Sequence, residues 1–177
     1  EGGMLTTSNP RWAARARTLR EHAMSLSAAE RSASILAPAE AYTEVGYNYR
    51  MTDLQAAVGL VQLQRLDAVV RRRRELAAGY AKAFAEIEFL RPVEDPPWGE
   101  SNFQSYWIEV LPGFGTDRNG VLEALARQEI SARRGIMAAH LEPAYRGRDT
   151  GTASLEVTER LSANTLILPL FHEMTES

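Results

Sequence analysis

Gly46-Tyr47-Asn48-Tyr49-Arg50-Met51-Thr52-Asp53-Leu54-Gln55-Ala56-Ala57, running on into Gly59-Leu60-Val61-Gln62-Leu63, is the stretch on which the fold turns. Thr52 followed three residues later by Gln55 is a capping-box pattern, and no proline occurs between it and Pro92. The pattern predicts one helix over residues 52–85. Wound as a helix, Leu54, Ala56, Ala57, Val58, Leu60, Val61 and Leu63 fall around the whole circumference. A helix that is apolar on every side is expected to be buried on every side. Farther along, Leu66, Val69, Val70, Leu76, Ala77, Tyr80 and Phe84 share one face. The helix is thus expected to begin in a core or subunit interface and to end on a surface, as a connector between domains does.

Upstream, residues 4–7 follow the Gly2-Gly3 pair as a short β-capable stretch. Asn9 is placed to cap a helix and Pro10 suits its first position, with Trp12, Ala13, Ala16 and Leu19 as the apolar face. Residues 24–41 are rich in Ser and Ala without a sustained period and read as a loop. Downstream, strands are predicted over 88–93 and 105–111, the second ended by Pro112-Gly113. A helix over 117–129 turns Val121, Leu122, Leu125 and Ala126 inward. A third strand is predicted over 130–137, then a loop over 138–152, a helix over 155–164 and a short strand over 166–168. Strands and helices alternating in this way make a small α+β unit.

Composition narrows the chemistry. With 45% hydrophobic and 24% charged residues, the 177-residue chain has the make-up of a soluble globular protein. A net charge of −3 gives no bulk attraction to nucleic acid or to an anionic membrane. The absence of cysteine removes disulfides and thiolate chemistry. No apolar run reaches membrane-spanning length, so a cytoplasmic protein is the default. His22, His140 and His172 are widely spaced, and no metal site is expected. Of the 20 Lys+Arg residues only Lys82 is a lysine, and it falls on the polar side of the long helix as a surface charge. Both ends read as cuts through a longer protein.

Three stretches together carry a resemblance. They are Glu1-Gly2-Gly3-Met4-Leu5-Thr6-Thr7; the Gly46 to Leu63 stretch; and Arg133-Arg134-Gly135-Ile136-Met137 with His140-Leu141-Glu142-Pro143-Ala144-Tyr145 and Leu168-Pro169-Leu170. In this order and spacing the chain resembles the DegT/StrS-type nucleotide-sugar aminotransferases, which have the aspartate aminotransferase fold. The resemblance implies an α/β fold class: the C-terminal part of a fold-type I transferase dependent on pyridoxal 5'-phosphate (PLP). Residues 1–86 would be the end of the large cofactor-binding domain with the long connecting helix, and 87–177 a small α+β C-terminal domain.

The implied activity is transfer of an amino group from an amino acid, glutamate foremost, to a nucleotide-linked keto-deoxysugar, with the cofactor passing through pyridoxamine phosphate (PMP). Such reactions serve cell-surface polysaccharide or secondary-metabolite sugars. The Schiff-base lysine of the family would lie just upstream of Glu1, so this chain alone is expected to be inactive. The implied assembly is a homodimer with shared active sites, in which Asn48 crosses to the cofactor phosphate of the neighbouring subunit; an amide donates to phosphate oxygen without adding charge. Arg50 suits the diphosphate of the substrate, or an ion pair with Asp53. Tyr47 and Tyr49 offer hydroxyls to cofactor or sugar, or simply pack. His140 faces the substrate cleft or caps a loop. Arg133 and Arg134, if in a strand, point to opposite faces, so one at most reaches substrate; Arg134 is taken as the candidate.

Two alternatives remain open. A family member with histidine at the lysine position would be a PLP-dependent sugar dehydratase, and a helical interaction module would need no chemistry. Gly135-Ile136-Met137-Ala138-Ala139 departs from the His-Tyr-Pro stretch of many relatives, which leaves the sugar undefined. The run Arg71-Arg72-Arg73-Arg74 spreads around a helix. Arg71, Arg72 and Arg74 are expected to be solvated, and Arg73 to have a packed stem and a head paired with an acid or a carbonyl.

Overall fold

Asn9 and Pro10 start helix α1 (Pro10–Arg20) as expected: the Asn9 side chain accepts from the backbone N–H groups of Arg11 at 3.0 Å and Trp12 at 3.4 Å. The computed structural model describes residues 2–25, 33, 39, 41–145, 147–148 and 154–175. Its backbone packing divides the chain into Glu1–Arg65 and Leu66–Ser177, a boundary inside the long helix, whereas the resemblance implied one after residue 86.

In the first unit the side chains of Ala13, Ala16 and Leu19 are partly covered, while Trp12 stays 67% exposed. The stretch 4–7 is not a strand. Met4 and Leu5 are exposed, and a strand exists only where a neighbour supplies its ladder of hydrogen bonds, which no described residue does. Most of 24–41 lies outside the described residues. At its edges Met24 bridges Tyr42, and Ser25 N donates to Ala41 O at 2.9 Å. An ion pair from Arg15 of α1 to Glu44 adds a further tie.

Helix α2 (Asp53–Phe84) opens on the capping box. Gln55 N donates to Thr52 Oγ1 at 3.3 Å while Thr52 N donates to Gln55 Oε1 at 2.9 Å. Within this chain its first half is not buried, so the expected core is absent among the described residues, and a subunit interface would need a second chain. Leu54 is 83% exposed, and Val58, Leu60, Val61 and Leu63 are exposed with it. Periodicity shows which sides of a helix are apolar; only a packing partner makes them buried, and among the described residues none covers this ring.

The second unit has a core. Strands β1 (Leu90–Pro92), β2 (Tyr106–Val110), β3 (Arg133–Arg134) and β4 (Thr165–Leu168) form an antiparallel sheet in the order β1-β2-β4-β3. Tyr106 pairs with Leu168 and Ile108 with Leu166, so alternation puts these residues on one face with Val110. There they meet Ala77, Tyr80 and Phe84 of α2 and Val121, Leu122 and Leu125 of helix α3 (Arg118–Arg127). Ala126, expected inward, is exposed. Tyr80 stacks on Tyr106 at 5.0 Å and donates its hydroxyl to Pro169 O at 2.8 Å. Burial, with Glu94 and Tyr80 nearby, pushes the Tyr106 hydroxyl up to about 12, which keeps it protonated. After β2 the chain turns at Gly113, whose φ of 106° and close approach to the Phe89 ring admit no side chain.

Asp117 caps α3 by accepting from Gly120 N at 2.9 Å. The third strand is much shorter than the predicted 130–137, because Ile130 N and Gln128 N fold back onto Leu125 O in a turn. Past Gly135 N, which donates to Thr165 O at 2.9 Å, the edge strand has no further ladder among the described residues. Short 3₁₀ turns, Ala139–Leu141 and Pro143–Tyr145, lead toward helix α4 (Glu156–Asn164), whose contacts lie on the other face of the sheet.

That other face holds a residue whose role the sequence reading missed. Glu109 is 0% exposed in the middle of β2, with Arg91 of β1 and Arg160 of α4 both donating to its carboxylate. Burial alone would raise its pKa, but the hydrogen bonds from Arg160 and Arg91, with their charges, hold it below the ordinary 4.5. The arginine run is equally specific. Arg73 donates to Phe103 O at 2.9 Å and Gln104 O at 3.0 Å, as expected for a head paired with carbonyls. Arg72 and Arg74 were expected in solvent and are not. Arg72 reaches Met174 O at 2.9 Å, and Arg74 reaches Ser101 O at 2.8 Å, because the segments around 101 and 174 run past the helix where those two project.

Candidate functional site

Residues 46–50 are bound to the C-terminal end of α1 by backbone hydrogen bonds. Tyr47 N donates to Leu19 O at 2.7 Å, His22 N donates to Tyr47 O at 2.9 Å, and Tyr49 N donates to Arg20 O at 3.0 Å. Glu21 and Asn48 face one another across an antiparallel bridge. The rings of Tyr47 and Tyr49 stack at 5.1 Å with 4° between their planes. The segment is exposed yet fixed at its backbone, a combination that suits a recognition loop on a rigid support.

Arg50 Nε donates to Asn48 Oδ1 at 3.4 Å, a long contact that turns the acceptor end of the amide toward the guanidinium. The two N–H groups of Asn48 are left without a partner among the described residues. Arg50 has no carboxylate partner among them either, and the expected alternative, an ion pair to Asp53, does not form. An amide donor beside an uncompensated guanidinium fits an oxygen-rich anion such as a phosphate. Tyr47, Asn48 and Arg50 are therefore brought together.

The other candidates stand in the second unit. His140 Nε2 lies 3.0 Å from Glu159 Oε1, with the imidazole only 15% exposed, so it ties the first 3₁₀ turn to α4. Arg134 is exposed and sits near Arg118; burial first, and the charge of Arg134 second, depress the Arg118 guanidinium. Arg118 in turn donates to Ser162 O at 2.8 Å. Arg133 points the other way, into a groove of about 530 Å³ with Gln104, Ser105 and Ser131. Lys82 is exposed on α2. Among the described residues no three His, Cys, Asp or Glu groups gather as metal ligands, and no helix is long and apolar enough to cross a membrane.

This architecture is that of the C-terminal part of PLP-dependent aminotransferases. TlmJ, an aminotransferase from Streptoalloteichus hindustanus, superposes with a TM-score of 0.75 at 28% identity, covering 96% of this chain and 42% of TlmJ. DesV from S. venezuelae, solved in complex with a ketimine intermediate, gives 0.80 at 23%, covering 97% and 42%. Spr1654 from Streptococcus pneumoniae gives 0.77 at 22% in its PMP form, covering 96% and 43%, and 0.71 at 23% in its PLP form, covering 96% and 42%. The chain spans less than half the length of each. A model of the DegT/DnrJ/EryC1/StrS aminotransferase family matches residues 1–177, and the chain belongs to that family.

Proposed function

We propose that the intact protein transfers an amino group from an amino acid, glutamate foremost, to a nucleotide-linked keto-deoxysugar, for cell-surface polysaccharide or secondary-metabolite sugars. When bound, PLP supplies the electron sink that carries the amine between the two substrates. The observation that carries the reading is the exposed amide of Asn48 beside Arg50, which has no carboxylate partner among the described residues, on a loop whose backbone is already fixed.

In this reading the Asn48 amide donates to the cofactor phosphate of a neighbouring subunit, and Arg50 grips the diphosphate of the nucleotide. Arg134, with Arg118 close by and no carboxylate partner among the described residues, is the candidate substrate-binding arginine of the second unit. Tyr47, its ring stacked on Tyr49, forms part of the sugar wall, and His140 holds the substrate-facing turn through Glu159. The proton-moving lysine belongs to a part of the protein outside this chain, since Lys82 is exposed on a helix.

The apolar ring of Leu54, Val58, Leu60, Val61 and Leu63 supports a homodimer, because so large an exposed apolar surface on one helix is a packing surface. Residues 1–86 then close the cofactor domain, 87–177 form the small domain, and the protein works in the cytoplasm. The intact protein is expected to show the absorbance of lysine-bound PLP and to lose it when glutamate is added. An intact protein that forms no such band when PLP is supplied is not an aminotransferase.

A further inference from the structure

The Asn48 loop rests on a turn that is itself unusual. His22 and Ala23, which follow the Glu21 cap of α1, both lie in the left-handed region, at φ 62° and 56°. Neither is glycine, so both are strained, and such strain persists only where the surroundings impose it. What imposes it is visible. Ala23 is fully buried, its N–H donates to Thr18 O at 3.0 Å, and the neighbouring His22 N–H donates to Tyr47 O at 2.9 Å.

Gly46 lies flat against that turn. A methyl group on Gly46 would land inside the backbone of His22 and Ala23, which has no flexible end to swing away. Closest approach of two backbones needs a residue without Cβ. Tyr47 and Asn48 come directly after this contact, and their pairing with Leu19, Glu21 and His22 begins there. We infer that Gly46, seated on the His22–Ala23 turn, is a positioning residue that sets where the Asn48 amide stands. The inference rests on the reading of Asn48 as a phosphate ligand.

The test uses the intact protein and two probes, PLP and pyridoxal, which differ by the phosphate. Asn48→Ala is expected to weaken PLP roughly tenfold or more, the loss of a hydrogen bond to a charged group, and to leave pyridoxal unchanged. Gly46→Ala is expected to do the same, and the double variant to be no weaker than Asn48→Ala, because residues acting through one contact are not additive. Gly79→Ala, a site where an added methyl meets nothing within 4 Å, is the control. Amide hydrogen exchange in the wild type without cofactor should show Tyr47 and Tyr49 already protected, a readout that needs no variant.

If Asn48→Ala loses the preference for PLP while Gly46→Ala keeps it, or if their losses add, the positioning inference falls alone. If both variants keep the preference, the phosphate reading falls and takes this inference with it. Unprotected Tyr47 and Tyr49 amides, or a Gly46→Ala protein that unfolds as a whole, would also overturn it.

Discussion

The two units are built on opposite terms. Residues 66–175 enclose a core in which Tyr106, Ile108, Val110, Leu166 and Leu168 meet Ala77, and even the odd carboxylate there, Glu109, has two arginines donating to it. In the first unit Ala23 is the one described residue that is buried, and the order comes from backbone hydrogen bonds, a capping box and an ion pair. In proportion it is no less apolar, but on α2 its apolar residues point outward. The contrast teaches that one unit carries its own hydrophobic driving force, while the other displays surfaces that only a further packing partner can use.

The sharpest way to break this contrast is a matched pair of truncations. Leu166→Ala should cost about 2–5 kcal/mol of stability, a core leucine losing its contacts. Leu60→Ala, 64% exposed, should change the stability of the chain by no more than about 0.5 kcal/mol. Urea unfolding measures both, and equal losses would erase the distinction. In the intact protein Leu60→Ala should become costly if a second subunit covers that ring.

A smaller effect is expected at Glu109, where Glu109→Gln should cost about 1.5–3 kcal/mol at neutral pH through weakened bonds to Arg91 and Arg160. Its folded pKa lies below the ordinary 4.5, so the unfolded chain takes up the proton first on acidification. The stabilisation is therefore present above 4.5 and lost as pH falls through the depressed folded value. Stability curves against pH should be flatter in that acid window for Glu109→Gln. A curve as steep as the wild type's would place the acid sensitivity elsewhere.

Smallest is the difference within the arginine run. Arg73→Met keeps the stem and loses two carbonyl contacts, for about 1.5 kcal/mol. Arg71→Met, on an exposed position, should stay within about 0.5 kcal/mol. Thermal unfolding of the two variants side by side checks this, and identical melting temperatures would deny Arg73 its anchoring role.

Much of the fold was legible because it is written in short-range patterns. Thr52 and Gln55 marked the start of α2 to within one residue, Asn9 and Pro10 marked α1, and the strand expected over 105–111 contained β2. The family was legible from motifs spread along the chain. Glu109 was passed over inside that same strand, although a lone acid in an apolar run is a signal of a buried partnered charge. Arg72 and Arg74 were misplaced because their acceptors lie 102 and 27 residues away, and no local pattern reports such a distance. Tyr47, Asn48 and Arg50 were picked from their motif, but the reason they stand still, Gly46 on a left-handed turn at 22–23, needed the two segments side by side.

The sequence by itself determined where helices start, which faces are apolar and to which family the chain belongs, since capping and periodicity act within a few residues of one another. Tertiary structure alone decided which apolar faces are covered, which arginines are tied down and which way the Asn48 amide points. Burial and ion pairing depend on atoms that the backbone brings together from far along the chain.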